Sequence, residues 1–543
     1  MMEHKGPASS FAGVYFVTLF VSVCYGGVQS LKHFKAQEGP LENVLQFSTP
    51  EGGGMVIACG QNRLYKLSAE SLSLEAVSVT GPSDDNLLCA PHPIYCVHGN
   101  TATDNNKNQI LLPLESASGV LACASTLQGM CSFHQVSHDL NVSKPIEKTA
   151  NTDYAASSAG TVAFFGSGRN ANVLFVASAY DGQPSEYNPY TLSARVLTTP
   201  YSFSLRSSTP AAGSFVKVLD SFKNSYRARF LYGFSYNGFA YFVAVLNSGR
   251  FSGIFETRLV RVCEDDLSFR TYTELPMRCL KKVDDVNNSV RIGISASLEQ
   301  STAGNENGSK VLAVAFGTSF GGNRNSSDPS LGSELCFFDM DNVEAAFRKT
   351  VKSCNKGEST VKLIQFFGNN QLDSNCAPNE QSDDSIDECR PGVNSHIEGL
   401  LPLVGRATME FKEGLMTSIN VMKQNGATVA WVGDNSGYLH KVKLQGESSK
   451  LLFWTDLSRG GNVPIEKSAA LDRQGAYGYF LLHNKVVQFP VGSCSIYSSC
   501  SRCLRGHEDP LRCGWCEGSC AHAGECPEGK SLTFDRCPVE VHT

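Results

Sequence analysis

Eight of the chain's 20 cysteines fall within the 44 residues from Cys494 to Cys537. A segment that short cannot bury enough apolar surface to hold itself together, so cross-links or a metal must help. It contains Cys500-x-x-Cys503 and Cys513-x-x-Cys516, and two such pairs can hold a tetrahedral zinc. The nine residues between them are fewer than a zinc ribbon usually has. Four further cysteines, and the leader described next, favour disulfides instead. Spacing alone leaves their connectivity open among the many pairings that eight cysteines allow.

The N-terminus carries His4 and Lys5, then an uncharged, mostly apolar run of 14 residues from Phe11 to Cys24, then Tyr25-Gly26-Gly27. This is the pattern of a secretory signal peptide over residues 1–26, with Gly26 and Ser30 both suitable for cleavage. The run falls short of the roughly 20 apolar residues a membrane span needs. An oxidising, extracellular setting agrees with the cysteine count. It gives weight to four N-x-S/T sequons, at Asn141, Asn287, Asn307 and Asn325. The chain is expected to be secreted or to lie on the outer side of the plasma membrane, anchored only as part of a longer receptor. Lys plus Arg is 46 against 52 Asp plus Glu, a formal net charge of −6, so a nucleic-acid surface is not expected.

Between Leu31 and Val491 short apolar runs alternate with turn residues. Val56 to Leu67 breaks at Gly60-Gln61-Asn62, and Phe230 to Val245 breaks at Asn237-Gly238, a strong hairpin signal because both residues must adopt positive φ. Ala430 to Leu444 breaks at Gly433 to Gly437, and Tyr479 to Phe489 breaks at His483-Asn484. Such spacing predicts many antiparallel sheets, in a sandwich series or a propeller. No strict repeat accompanies it. One helix stands out: Asp339 or Asp341 can cap it, and Val343, Ala346, Phe347 and Val351 line one face. Gly304 to Gly332 is polar and reads as a long exposed excursion.

Catalytic signals are weak. Gly317-Thr318-Ser319-Phe320-Gly321 fits the nucleophile pattern G-x-S-x-G, but no helix follows to hold the serine over an oxyanion hole, so it reads as a loop. The acidic run Asp383 to Glu388 lacks the glycine and ligand spacing of a calcium loop and reads as solvated. No catalytic or metal-binding residue is named, and no cofactor is expected.

The cysteine-rich end resembles the plexin–semaphorin–integrin (PSI) module in Cys494-x5-Cys500-x-x-Cys503-Leu504 followed by Asp509-Pro510-Leu511-Arg512-Cys513-Gly514-Trp515-Cys516. That resemblance implies the pairs Cys494–Cys513, Cys500–Cys537, Cys503–Cys520 and Cys516–Cys526. The region ahead is similar to the sema domain of the plexin and Met/Ron receptor group. The similarity rests on Asn62 to Leu67, Thr80-Gly81-Pro82, Thr103-Asp104-Asn105, Cys123 with Gln128 to Cys131, Ser185-Glu186-Tyr187, Leu192 to Arg195 and Leu335-Cys336-Phe337. It implies an all-β chain: a seven-bladed β-propeller over residues 31–491, its last blade closed by an N-terminal strand, then a PSI domain over 493–538. It also implies the pairs Cys89–Cys96, Cys123–Cys131, Cys263–Cys389, Cys279–Cys336 and Cys354–Cys376, which leaves Cys59 as a buried free thiol. Thr103-Asp104-Asn105 and Ser185-Glu186-Tyr187 look more like plexins, whereas Cys516-Glu517-Gly518-Ser519-Cys520 looks more like Met and Ron.

The function implied is that of a receptor ectodomain, or a soluble form, that binds a semaphorin through the sema domain, with a co-receptor as a further partner. The alternatives are a Met/Ron-like ectodomain that binds a plasminogen-like growth factor, a semaphorin-like ligand, and a secreted propeller hydrolase. Ligand contact residues are not legible at this level.

Overall fold

The computed structural model describes residues 31–537 apart from 49–53, 87–88, 92–93, 96–100, 137–139, 141–142, 146–154, 157–159, 181–189, 200–201, 210–211, 249–252, 282–290, 301–308, 320–325, 368–373, 379–387 and 391. The first sheet joins β2 (Leu41–Ser48), β3 (Gly54–Gly60), β4 (Arg63–Ser68) and β5 (Leu74–Val79) in chain order. The second holds β6 (Asn108–Leu114), β7 (Gly119–Ala124), β8 (Cys131–Gln135) and β9 (Ser143–Pro145). In the third are β10 (Thr161–Phe165), β11 (Val173–Ser178), β12 (Leu192–Thr199) and β13 (Ser202–Leu205). Blade four follows with β14 (Ala228–Tyr236), β15 (Phe239–Ser248), β16 (Ile254–Cys263) and β17 (Thr273–Leu280).

Blade five departs from this rhythm. Its strands are β18 (Arg291–Leu298), β19 (Val311–Ser319), β20 (Pro329–Asp339) and β23 (Leu403–Phe411). Between β20 and β23 the chain inserts α1 (Met340–Asn355), β21 (Val361–Leu363) and β22 (Ile397–Gly399). The sixth blade is β24 (Met416–Gln424), β25 (Ala427–Asp434), β26 (Tyr438–Gln445) and β27 (Ser448–Asp456). The seventh takes β28 (Ala469–Leu471), β29 (Gly478–Leu482) and β30 (Lys485–Phe489) and borrows β1 (His33–Lys35) from the N-terminal end, with Phe34 opposite Val486. Seven blades on a four-stranded plan, the third with Phe215–Val216 paired onto it as a fifth strand and the last completed by β1, make a β-propeller; closing the ring joins first blade to last and hides edges that would otherwise invite aggregation.

Local chemistry accounts for the hairpins. Asn237 and Gly238 both take positive φ, 48° and 78°, and Asn425-Gly426 repeats this at 47° and 80°. Those values fit the turn whose twist matches paired strands. The cap of α1 is Asp339, whose side chain accepts from the Asn342 amide at 3.1 Å. Its Val343 and Phe347 are buried, and Phe347 meets Tyr241 edge-on at 5.9 Å.

The expectation of an exposed excursion from Gly304 to Gly332 is corrected over its described middle; residues 304–308 and 320–325 lie outside the described residues. Val311 to Ser319 within it forms β19, paired on both sides and almost wholly buried. A strand covered on both faces shows no alternation, so its short apolar run Leu312-Ala313-Val314-Ala315-Phe316 is swamped by the polar residues around it.

Side chains pack between blades. Tyr241, Leu259, Ile292, Val314 and Phe316 fill the space between blades four and five, with Phe347 of the insertion. Another cluster continues past the propeller: Trp431, Leu439, Phe480 and Phe489 share a core with Cys494, Tyr497, Cys503 and Cys513. The cysteine-rich segment adds α2 (Cys500–Arg505) and the ribbon of β31 (Gly514–Cys516) with β32 (Ser519–Ala521).

Candidate recognition surface and the joint behind it

The insertion of blade five is clamped onto blade four. The strands β22 and β23 both run parallel to β17, with Thr273 opposite Ile397 and Met277 opposite Leu403, so they cover an edge that would otherwise be open. Three disulfides reinforce this region. Cys263–Cys389 links the insertion to β16, Cys279–Cys336 links β17 to β20, and Cys354–Cys376 closes the insertion on itself.

Ion pairs complete the clamp. Arg261 of β16 reaches Glu388 at 2.5 Å, and Glu388 also accepts from Arg348 of α1 at 2.7 Å. The Arg261 guanidinium lies over the rings of Phe239 and Phe347, 4.2 and 4.6 Å from their centroids, a favourable use of a desolvated cation. Arg258 meets Glu256, Glu274 and Glu398 at 3.0, 2.9 and 2.9 Å. Burial alone would lower the Arg258 pKa, yet the three carboxylates, Glu274 foremost, hold it above its ordinary value. Burial raises the Glu274 carboxyl more than Arg258 lowers it. Buried charges survive only when each finds a partner, as here.

The outer face of this clamp is apolar in places. Val393, Leu400, Leu401 and Val404 are exposed, and on the next blade so are Leu451 and Trp454. A cavity of about 570 Å³ opens between the two blades, lined by Phe337, Val343, Leu403, Val404, Arg406 and Glu447 among others. Exposed aliphatic and aromatic side chains such as these suit contact with another protein.

A second feature joins the propeller to the cysteine-rich segment. Lys441 of β26 and Asp509 are both fully buried, with Nζ 2.9 and 2.7 Å from the two carboxylate oxygens. Tyr497 Oη donates to the same carboxylate at 2.8 Å, and the Leu511 amide donates at 3.0 Å. The ammonium also stands 5.4 Å from the Trp431 ring. Burial lowers the Lys441 pKa and Asp509 restores part of it.

The remaining sequence-derived sites are placed as follows. The cysteine-rich segment holds the disulfides Cys494–Cys513, Cys500–Cys537, Cys503–Cys520 and Cys516–Cys526. In the propeller Cys123–Cys131 bridges directly opposed residues of β7 and β8. Cys89 is disulfide-bonded; Cys96 lies outside the described residues, as do Asn141, Asn287, Asn307 and Asn325. Cys59 is free and fully buried in β3, and burial pushes its thiol well above the ordinary range. Gly317 to Ser319 belong to β19 and not to a loop; Ser319 is buried and its hydroxyl donates to the Ser326 carbonyl at 2.9 Å. Of the acidic run, Asp383 to Asp387 lie outside the described residues; Glu388 at its end is half-buried between Arg261 and Arg348 and not freely solvated, because two cations from different elements converge on it. Among the described residues, no group of three or more His, Cys, Asp or Glu could hold a metal ion.

Sequence reading missed both charged networks. Lys441-Val442-Lys443 alternates as a solvent-facing strand would, and nothing local marks Lys441 as the buried one. Its partner lies 68 residues further on.

Comparison with known proteins bears on this geometry. A family model described as Sema domain matches residues 295–469, from β18 to the start of β28. Plexin A3 of Danio rerio is 29% identical over 502 residues, covering 85% of this chain and 25% of that protein. The chain is similar to plexins over most of its length. Plexin-A3 of Homo sapiens is 28% identical over 96% of the chain and 28% of its own length, so the plexin-like chain spans about a quarter of the length of the curated relatives it matches. Among solved structures, the Plexin A4 full extracellular region superposes with a TM-score of 0.78 at 23% identity, covering 92% of this chain and 55% of that one. A chain from the complex of Drosophila Plexin A with Semaphorin 1b gives a TM-score of 0.57 at 14% identity, covering 93% of this chain and 95% of that one. At such identities the superpositions speak for the fold alone.

Proposed function

We propose that this chain is the extracellular ligand-binding region of a plexin-like cell-surface receptor, or a soluble form of one, and that its propeller binds a semaphorin. The observation that carries this reading is the match to plexins over nearly the whole chain. The exposed apolar side chains of blades five and six support it. A stable complex of this kind buries roughly 1,200–2,000 Å², with the energy concentrated in a few anchors. On this reading the chain acts by binding and not by catalysis. Residues 1–26 are a leader, 31–491 the sema domain and 493–538 the PSI domain. Asn141, Asn287, Asn307 and Asn325 are glycan acceptors, Cys89 pairs with Cys96, and a co-receptor is a further partner. Among the described residues no helix is long and apolar enough to cross a membrane.

The test is binding of the secreted chain, immobilised with its glycans intact, to semaphorin ectodomains and to a plasminogen-like growth-factor β-chain in parallel. Saturable semaphorin binding that is lost on disulfide reduction is the expected result. Growth-factor binding without semaphorin binding overturns the proposal.

A further inference from the structure

In a chain of formal net charge −6, one cleft is positively charged. It lies where blade six meets the cysteine-rich segment, with a volume of about 430 Å³, inside the ~300–1,000 Å³ range of small-ligand sites. The cations Lys443 of β26, Lys450 of β27 and Arg512 of the cysteine-rich segment line it.

Their partners do not balance them. Lys443 and Lys450 stand directly opposite each other across β26 and β27, where like charges destabilise a sheet. Two carboxylates line the cleft, Glu508 and Asp509. Asp509 is fully engaged by Lys441 at 2.7 and 2.9 Å, so that pair adds no net charge. Glu508 pairs with Lys450, and its backbone carbonyl accepts from Lys443 at 3.1 Å. The exposed guanidinium of Arg512 has neither a hydrogen bond nor an ion pair among the described residues. Apart from the Lys441–Asp509 pair, three cations share the single carboxylate of Glu508, a surplus of two positive charges contributed by two separate modules.

We propose that this cleft binds a sulfated glycan. Sulfate esters stay ionised at any physiological pH, and two or three on neighbouring sugars meet the separated cations together. The exposed Gln445 amide supplies partners for sugar hydroxyls, and Asn425, whose Nδ2 donates to the Pro510 carbonyl at 2.9 Å, offers its Oδ1 as an acceptor. With only Ala427 and Pro510 as apolar lining, the cleft has no floor for an acyl chain or an aromatic anchor. Because the fixed Lys441–Asp509 pair holds the two modules together, the cations are positioned before ligand arrives, which limits the ordering cost. The inference rests on the extracellular placement proposed above.

The experiment measures the secreted full chain on immobilised heparin at physiological salt, beside chemically desulfated heparin, inorganic sulfate and phosphatidylserine vesicles. The comparison protein carries Lys443→Gln, Lys450→Gln and Arg512→Gln together; Arg512→Gln alone, which removes no protein contact, serves if the triple variant folds poorly. The expected result is heparin binding that desulfation abolishes and that weakens roughly tenfold or more in the triple variant, with a shallower salt dependence and an unchanged melting temperature. No binding by the wild type, equal binding by the variants, tighter binding to vesicles, or saturation by inorganic sulfate at matched sulfate concentration would each overturn it. Semaphorin binding is read separately on the same preparations, so failure of one proposal is visible without failure of the other.

Discussion

The propeller and the cysteine-rich segment achieve order by opposite means. In the propeller each blade buries one sheet face against the next, through clusters such as Tyr241, Leu259 and Phe316, and disulfides tie down particular places on that framework. The final segment has four disulfides within 44 residues and completes its apolar core by leaning on Trp431, Phe480 and Phe489 of the propeller. A large ring can afford a lost cross-link; a small module has covalent constraint and a borrowed core to rely on.

The largest expected effect is at the joint. Asp509→Ala leaves the Lys441 ammonium buried without a partner and should cost about 3–5 kcal/mol, seen as an early unfolding step and rapid proteolysis after Val491. Lys441→Met with Asp509→Leu should recover most of that loss. If the double variant is no better than the single, the joint is held by shape and not by charge balance.

Next comes the cross-link contrast. Removing Cys503–Cys520, which spans 17 residues, costs about 3 kcal/mol on chain-entropy grounds, enough to abolish cooperative folding of the final segment. Removing Cys123–Cys131 by paired serine substitution should leave the propeller folded and lower its melting temperature by a few degrees. Equal damage from both, in calorimetry, would erase the distinction.

Acid should separate the regions further. His134 and His396, both in the propeller region, are buried, and burial pushes each imidazole down to about 4. Unfolded imidazoles protonate near 6.5, so from there down to about 4 the unfolded chain binds more protons and stability falls as pH falls, by up to about 3 kcal/mol per histidine. Glu42 acts in the opposite sense: burial raises its carboxyl to about 7, so its contribution falls as pH rises from 4.5 to that value. Other carboxyls raised by burial, Glu274, Glu334, Glu344 and Glu466 among them, act in the same sense as Glu42, so substitution isolates the histidine contribution where the wild-type profile mixes both. Urea midpoints at pH 6.5 and 4.5 should differ less in His134→Gln than in the wild type.

The smallest effect is local. Asp339→Ala removes the cap of α1 and should cost about 1 kcal/mol, measured by thermal unfolding. A much larger loss would mean that the insertion is held mainly at its entry and not by the Arg261–Glu388–Arg348 clamp.

Much of this architecture is legible in the sequence because its signals are local. Asn237-Gly238 specifies a hairpin through the φ values its residues tolerate, Asp339 followed by Val343 and Phe347 specifies a capped helix, and CxxC pairs packed into 44 residues demand cross-linking. The buried strand β19 was not legible, because a strand covered on both faces loses the alternation that identifies it. Nor were the charged elements of the two sites. Lys441 and Lys443 alternate identically in sequence, yet one is sealed against Asp509 and the other lines a cleft. Glu388 looks like the end of a solvated acidic run until Arg261 and Arg348 converge on it. Chain-local chemistry determined which elements form; the tertiary structure decided which charges are buried, because burial depends on partners brought together from 68 or 127 residues away.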